Sequence, residues 1–228
     1  MVKGIWFKYH ADKNDPFLQD EVRYQDEVRY IRDPDFVSNK NSNGMIIPIW
    51  AVCGVLKRQT ISPGDIVFFI PTKGTHPNHI KPYVFTGVLV CKEKHDADYV
   101  MRDPRLSEGY RKRYVEDLND HLKYDKEEIA NKRKMNVVYG EIAPTISRWF
   151  GDNPVPVISA VEEADLKEQL KKQLENLYVG RNSSIPEIRD ESTVKRLYNI
   201  LMSKTKPSTI TKYEHTAKRN CISCFGSQ

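Results

Sequence analysis

The sequence predicts an α+β fold, a small mixed or barrel-like sheet over the first 140 residues with one inserted helix, followed by a helical appendage. Apolar, β-branched and aromatic runs of strand length recur up to Gly140. Apolar residues at helical spacing mark Tyr110, Tyr114, Leu118 and Leu122, and then dominate beyond residue 160. These two signals, strands first and helices after, divide the chain into a sheet domain over 1–158, a helical appendage packed on it over 159–203 and a basic, loosely ordered tail over 204–228.

Ile5-Trp6-Phe7-Lys8-Tyr9 opens as a strand, because large apolar and aromatic side chains suit a pleated, half-buried surface. The hexapeptide Gln-Asp-Glu-Val-Arg-Tyr occurs at Gln19–Tyr24 and again at Gln25–Tyr30. Two copies do not build a solenoid, so it reads as a local duplication in a loop or an edge hairpin. After an Asp/Asn/Ser-rich loop ending at Gly44, the run Met45 to Cys53 reads as a buried strand or a strand entering a turn. Pro63-Gly64 is a turn in which Pro fixes one φ and Gly permits a positive one at the next position. It launches Ile66-Val67-Phe68-Phe69-Ile70, apolar on both faces and therefore central.

Pro71 to Pro82 is a loop carrying Lys73, His76 and His79, and loops of that length inside compact domains are often functional. Tyr83 to Cys91 is the strongest strand signal, and an antiparallel hairpin with 66–70 is the natural pairing. The helix marked by Tyr110, Tyr114, Leu118 and Leu122 follows, then a strand at Val137–Gly140 and a turn-rich aromatic segment over 144–158. Leu166, Leu170, Leu174 and Leu177 mark a second helix, and Val194, Leu197, Tyr198 and Leu201 a third.

Composition narrows the class. Eight Phe, twelve Tyr and three Trp exclude wholesale disorder, and a mean hydropathy of −0.62 fits a polar-surfaced globular protein. The most apolar stretch, Met45 to Leu56, is broken by Pro48 and Gly54 and falls short of the roughly 20 residues that span a bilayer. The N-terminus has no secretory h-region, so a cytoplasmic protein without a membrane partner is expected. Cys53 and Cys91 sit in apolar runs, and Cys221/Cys224 lack the second close pair that a zinc site wants, so the cysteines read as structural or incidental. His76, His79 and His95 could be imagined as a three-His site, but Pro77 opposes a helical presentation and no metal is expected.

Phosphate-loop, dinucleotide-binding, nucleophile-elbow and His-Glu-x-x-His patterns are all missing, so neither a cofactor nor nucleophilic hydrolysis is motivated. The net charge of +5 is concentrated near residues 102–113, 132–134 and 204–219. Such stretches fit a polyanion partner and fit solvated helix faces equally well. Aromatic rings beside cations add a second signal: Trp6 and Tyr9, Trp50 before Lys57 and Arg58, and Trp149-Phe150 after Arg148. Flat rings stack on bases for about 1–3 kcal/mol each while neighbouring cations hold phosphate, although most such rings are core in an ordinary domain.

The strand order carries a resemblance. "Pro-Gly-Asp-Ile-Val-Phe-Phe-Ile" followed by "Tyr-Val-Phe-Thr-Gly-Val-Leu-Val" resembles the PUA-like superfamily that includes EVE, ASCH and YTH domains. Ala51-Val52-Cys53 through Arg58, and Ser147 to Gly151 before Pro154 and Pro156, resemble the second nucleotide-modification-associated domain family. The resemblance spans roughly residues 4 to 158, with Gly54-Val55 standing where a Lys-Pro pair often follows the Cys.

It implies a pseudobarrel whose cleft takes a flipped or free base between aromatic walls, in DNA or RNA carrying a modified base or as a modified nucleotide. Carried onto this chain, the base-binding candidates are Trp6, Tyr9, Trp50, Cys53, Trp149 and Phe150. The phosphate-binding candidates are Lys57, Arg58, Lys73 and Arg148. The expected function is a nucleic-acid or nucleotide binding module that recognises a modified base, with a place in DNA-modification or restriction systems. An enzyme acting on modified nucleotides or nucleic acid, with His76, His79 or Asp65 lining its cleft, and a protein-interaction module built on the two C-terminal helices are the alternatives.

Overall fold

The computed structural model describes residues 1–11, 47–51, 55–73, 84–112, 114–115, 137–142, 146–149, 155–179 and 187–206, with the backbone alone at 8–11, 55–57, 71–73, 149, 157 and 175–179. The duplicated hexapeptide, His76, His79, Cys53, Phe150 and the Cys221/Cys224 pair lie outside the described residues. In chain order the elements are β1 (Gly4–Ala11), β2 (Ile49–Trp50), α1 (Val55–Thr60), β3 (Ile66–Lys73), β4 (Val84–Phe85), β5 (Gly87–His95), α2 (Ala97–Arg102), β6 (Val137–Gly140), β7 (Arg148–Trp149), β8 (Val155–Pro156), α3 (Val157–Ala160), α4 (Ala164–Val179), β9 (Glu187–Ile188) and α5 (Glu191–Lys204). The fold is mixed α+β. It divides into two compact units, one formed by described residues within Met1–Val22, Gly64–Val90 and Pro144–Thr209, the other by those within Arg23–Pro63 and Cys91–Ala143.

In the first unit, Gly64 turns the chain at φ 91°, a left-handed conformation that side-chain-bearing residues rarely adopt. The buried Asp65 carboxylate then accepts the Lys3 N–H at 3.1 Å, and Ile66 N–H donates to the Lys3 carbonyl at 3.0 Å. These bonds dock β3 parallel to β1, with Trp6 opposite Phe68. On its other side β3 pairs antiparallel with β5, Phe68 opposite Val88, so β3 is interior to its sheet as its apolar sequence predicts. The single strand expected over 83–91 is broken at Thr86, whose N–H donates to Phe69 O while β4 leaves to pair with β8. The sheet gains β7 against β5 and β9 against β1.

Strand alternation decides what β3 packs against. Ile66, Phe68 and Ile70 join a core cluster with Trp6, Phe85, Leu166, Leu170, Leu174, Val194, Leu197 and Leu201, while Phe69 meets Phe7 edge-on at 5.7 Å. Helices α4 and α5 thus supply much of this unit's core rather than decorating its surface. Gly4 makes the close packing possible: a Cβ there would come within 3.0 Å of Phe68 and 3.1 Å of Val194. Helix α5 starts at Asp190, whose carboxylate accepts the Thr193 N–H at 2.8 Å, and Glu191 accepts the Val2 N–H at 2.9 Å.

In the second unit, β6 pairs antiparallel with β2 and with the Cys91–His95 part of β5, where the register shifts between Cys91 and Glu93. Its core gathers Ile47, Ile49, Ala51, Ala97, Val100, Leu106, Tyr110, Tyr114, Val137 and Tyr139. The Tyr110/Tyr114 helix expected from the sequence appears as helical turns at 108–112 and 114–115. Residues 55–60 form a helix the sequence reading did not anticipate. The barrel-like arrangement is not reached: among the described residues the strands form open sheets in both units.

Candidate functional site

The densest arrangement of chemically capable side chains lies in the second unit, where β5 gives way to α2. After the register shift, Glu93 and His95 stand two residues apart and so share one face of the strand. Asp96 then caps α2, accepting the Tyr99 N–H at 2.7 Å, and this immediate reversal brings the Tyr99 ring onto His95. The two rings are nearly parallel, 3.7 Å apart at 9°, and Tyr139 meets His95 edge-on at 5.1 Å.

Arg105 ties the group together. Its Nη1 and Nη2 donate to the two Glu93 carboxylate oxygens at 3.0 and 3.1 Å, a bidentate pairing that suits the planar guanidinium. Nε and Nη2 also donate to the buried Asp103 carboxylate, the shortest contact being 2.8 Å. Nη2 reaches the Tyr99 hydroxyl at 3.4 Å, and the guanidinium carbon lies 5.2 Å from the centre of the Tyr139 ring. One cation is therefore shared by two anions and framed by two phenol rings.

The electrostatics follow from this sharing. Hydrogen bonds from Arg105 outweigh partial burial and bring the Glu93 carboxyl down to about 2. At Asp103 burial works to raise the carboxyl, but Arg105 overcomes it and the group titrates below its usual range. Arg105 itself is held above its ordinary value by the same two carboxylates, and burial pushes the Tyr139 phenol up with help from the Asp103 charge. Ionised Glu93 can only accept, so in the 2.7 Å contact His95 Nε2 is the donor. The cluster can bind and orient; its carboxylates carry no proton to give near neutrality.

The sequence-predicted residues fall elsewhere. Trp6 is fully enclosed in the first unit, stacked on Phe85 at 5.2 Å and 13°, with Nε1 donating to the Gln173 side chain at 3.1 Å. Its ring is occupied by the core and offers a ligand no open face. Arg148, in the same unit, is half-buried and donates from Nη1 to the Met202 carbonyl and the Thr205 hydroxyl, both at 3.2 Å. It caps the C-terminal end of α5, an end that carries partial negative charge.

Trp50 and Arg58 are brought together in the second unit, the guanidinium carbon 5.7 Å from the indole centre, but both are completely buried. Tyr9 and Lys73 lie on β1 and β3 opposite Pro71 and Ala11, Trp149 on β7 opposite Gly87, and Lys57 on α1; the side chains of all four are outside the description. Cys53 and Phe150 are outside it altogether.

Of the residues that do converge, the sequence singled out His95, for a different role, and Arg105, as part of the basic stretch at 102–113. The usable signals were the Glu93/His95 alternation at a strand end and Asp96 three residues before Tyr99, which together bend a polar strand end back on itself. Among the described residues no group of three His, Cys, Asp or Glu side chains is placed to hold a metal ion, and no helix is long and apolar enough to cross a membrane. Comparison with known protein families, with curated proteins and with solved structures finds no match to this chain.

Proposed function

We propose that this chain is a nucleic-acid or nucleotide binding module of PUA-like affinity that recognises a modified base, acting in the cytoplasm within a DNA-modification or restriction system. The observation that carries the reading is the His95–Tyr99 stack, two parallel rings held by a capped helix and an ion-paired guanidinium. Pre-positioned flat rings bind other flat rings without the entropic cost of ordering them first. The net charge of +5 and the strand order of the PUA-like resemblance support the same reading.

The test is fluorescence anisotropy at fixed moderate salt, with short single- and double-stranded DNA and RNA carrying and lacking base modifications. Salt is fixed because backbone affinity falls steeply with it. Preference for one modified oligonucleotide is the expected outcome, and uniformly weak binding across the panel would overturn the reading.

The Glu93–His95 hydrogen bond at 2.7 Å favours a second reading, an enzyme acting on modified nucleotides with the oriented imidazole as its base. Turnover of a modified nucleoside that is lost in His95→Gln would replace the first reading with this one.

A further inference from the structure

We infer that the ligand is an unpaired nucleobase stacking on the outer face of the Tyr99 ring, with Arg102 taking the adjoining phosphate, an inference that rests on the nucleic-acid reading above.

Tyr99 differs from an ordinary surface tyrosine. It is 39% exposed, one of three large apolar side chains so exposed among the described residues, yet it is held from several sides. His95 covers one face at 3.7 Å, Arg105 donates to its hydroxyl, and Asp96 fixes its backbone N–H. With one face stacked on His95, the exposed part of the ring is what a ligand would meet. An aromatic base placed there would lengthen an existing stack of two rings to three, the arrangement by which proteins hold single-stranded bases.

The charges around the ring are asymmetric along α2. Asp96 and Asp98 precede Tyr99, and Arg102 follows it three residues on, which puts Tyr99 and Arg102 side by side on the helix surface. Arg102 is exposed, and its Nε donates to the Asp98 carbonyl at 3.1 Å, which lays the guanidinium back along the helix. Arg102 supplies the cation for one phosphate, and the Asp96 and Asp98 carboxylates on the same short helix oppose a second. This suits one base with its own phosphate and disfavours a long backbone track. A base paired within a duplex has both faces covered by its neighbours, so this platform selects unpaired bases and free nucleotides over intact duplex.

The experiment measures binding of the full chain to a labelled single-stranded DNA 12-mer, the same sequence as RNA, their duplexes, and unlabelled mononucleotides as competitors. Tyr99→Ala, Tyr99→Leu, Tyr99→Trp and Arg102→Gln are compared with the unaltered chain, and circular dichroism monitors their folding. Single strands should bind more tightly than duplexes. Tyr99→Ala and Tyr99→Leu should each weaken binding by about 10-fold or more, as expected when a base loses its stacking partner. Tyr99→Trp should restore it, and Arg102→Gln should lower both affinity and its salt dependence.

Competition by mononucleotides near the oligonucleotide affinity would identify the ligand as a free nucleotide; its absence would identify a strand. If the unaltered chain binds single strands and Tyr99→Leu binds equally well, or if duplex is preferred, this inference fails and the nucleic-acid reading stands. If the unaltered chain binds none of the probes, the nucleic-acid reading itself fails.

Discussion

Trp6 and Tyr99 show how residue chemistry divides between holding the fold and meeting a ligand. Both are aromatic and both touch other rings, but Trp6 is sealed between Phe85 and Phe68 while Tyr99, stacked on His95, stays 39% exposed. Trp6→Ala should therefore cost roughly 3–5 kcal/mol of stability, the usual range for emptying a packed aromatic site, and should reduce any binding only through unfolding. Urea denaturation followed by intrinsic fluorescence measures it, and a fully stable Trp6→Ala protein would show that the ring is not core. At Gly64 the cost is of another kind. No atom lies within 4 Å of an added Cβ, but φ is 91°, so Gly64→Ala should lose about 1–2 kcal/mol through backbone strain alone. A midpoint unchanged by that substitution would mean that the turn relaxes without cost.

Elements became legible in the sequence in proportion to how much apolar surface they commit. Strand β3, with five consecutive buried residues, and helices α4 and α5, with leucines recurring along one side, were readable because burial imposes their periodicity. Helices α1 and α2 have six residues each, too few for a period to emerge, and α2 is specified by the Asp96 cap more than by an apolar stripe. The candidate site was least legible. Glu93, His95, Tyr99 and Arg105 are ordinary surface residue types whose meaning arises only when a register shift and a capped turn bring them together. Conversely, the aromatic and basic residues that stood out in the sequence, Trp6, Trp50 and Arg58, are buried because large rings and a paired guanidinium serve packing well. Arg148 links two elements in the same structural way, donating from β7 to the last carbonyls of α5. Arg148→Ala should cost about 1–3 kcal/mol, the range for charge-assisted hydrogen bonds lost from a partly buried site. Amide exchange should quicken first at the C-terminal turn of α5. Faster exchange confined to another element would argue against the capping role.

For the whole molecule, the depressed carboxyls set the direction of acid stability. Glu93 titrates at about 2 against 4.5 for the ordinary group, and Asp103, Asp190 and Glu191 are also lowered. A carboxyl depressed in the fold binds fewer protons than its unfolded counterpart, so its stabilisation is complete above the unfolded value and is lost as pH falls through the folded one. Stability should thus decline from near pH 4.5 toward pH 2. Tyr139 acts at the other limit. Its phenol is raised above the ordinary 10.0, so its contribution is full below pH 10 and falls as the unfolded phenol ionises above it. A plateau between these limits is the expected profile. Glu93→Gln should be less stable than the unaltered chain at pH 7, because Arg105 and His95 lose their ionised partner, and the difference should shrink as pH falls toward 2, where the native carboxyl begins to protonate. Tyr139→Phe should flatten the alkaline limb. Urea midpoints of the three proteins across pH 2 to 11 measure both effects. Parallel curves for Glu93→Gln and the unaltered chain below pH 4.5 would show that the Arg105 pairing does not govern acid stability.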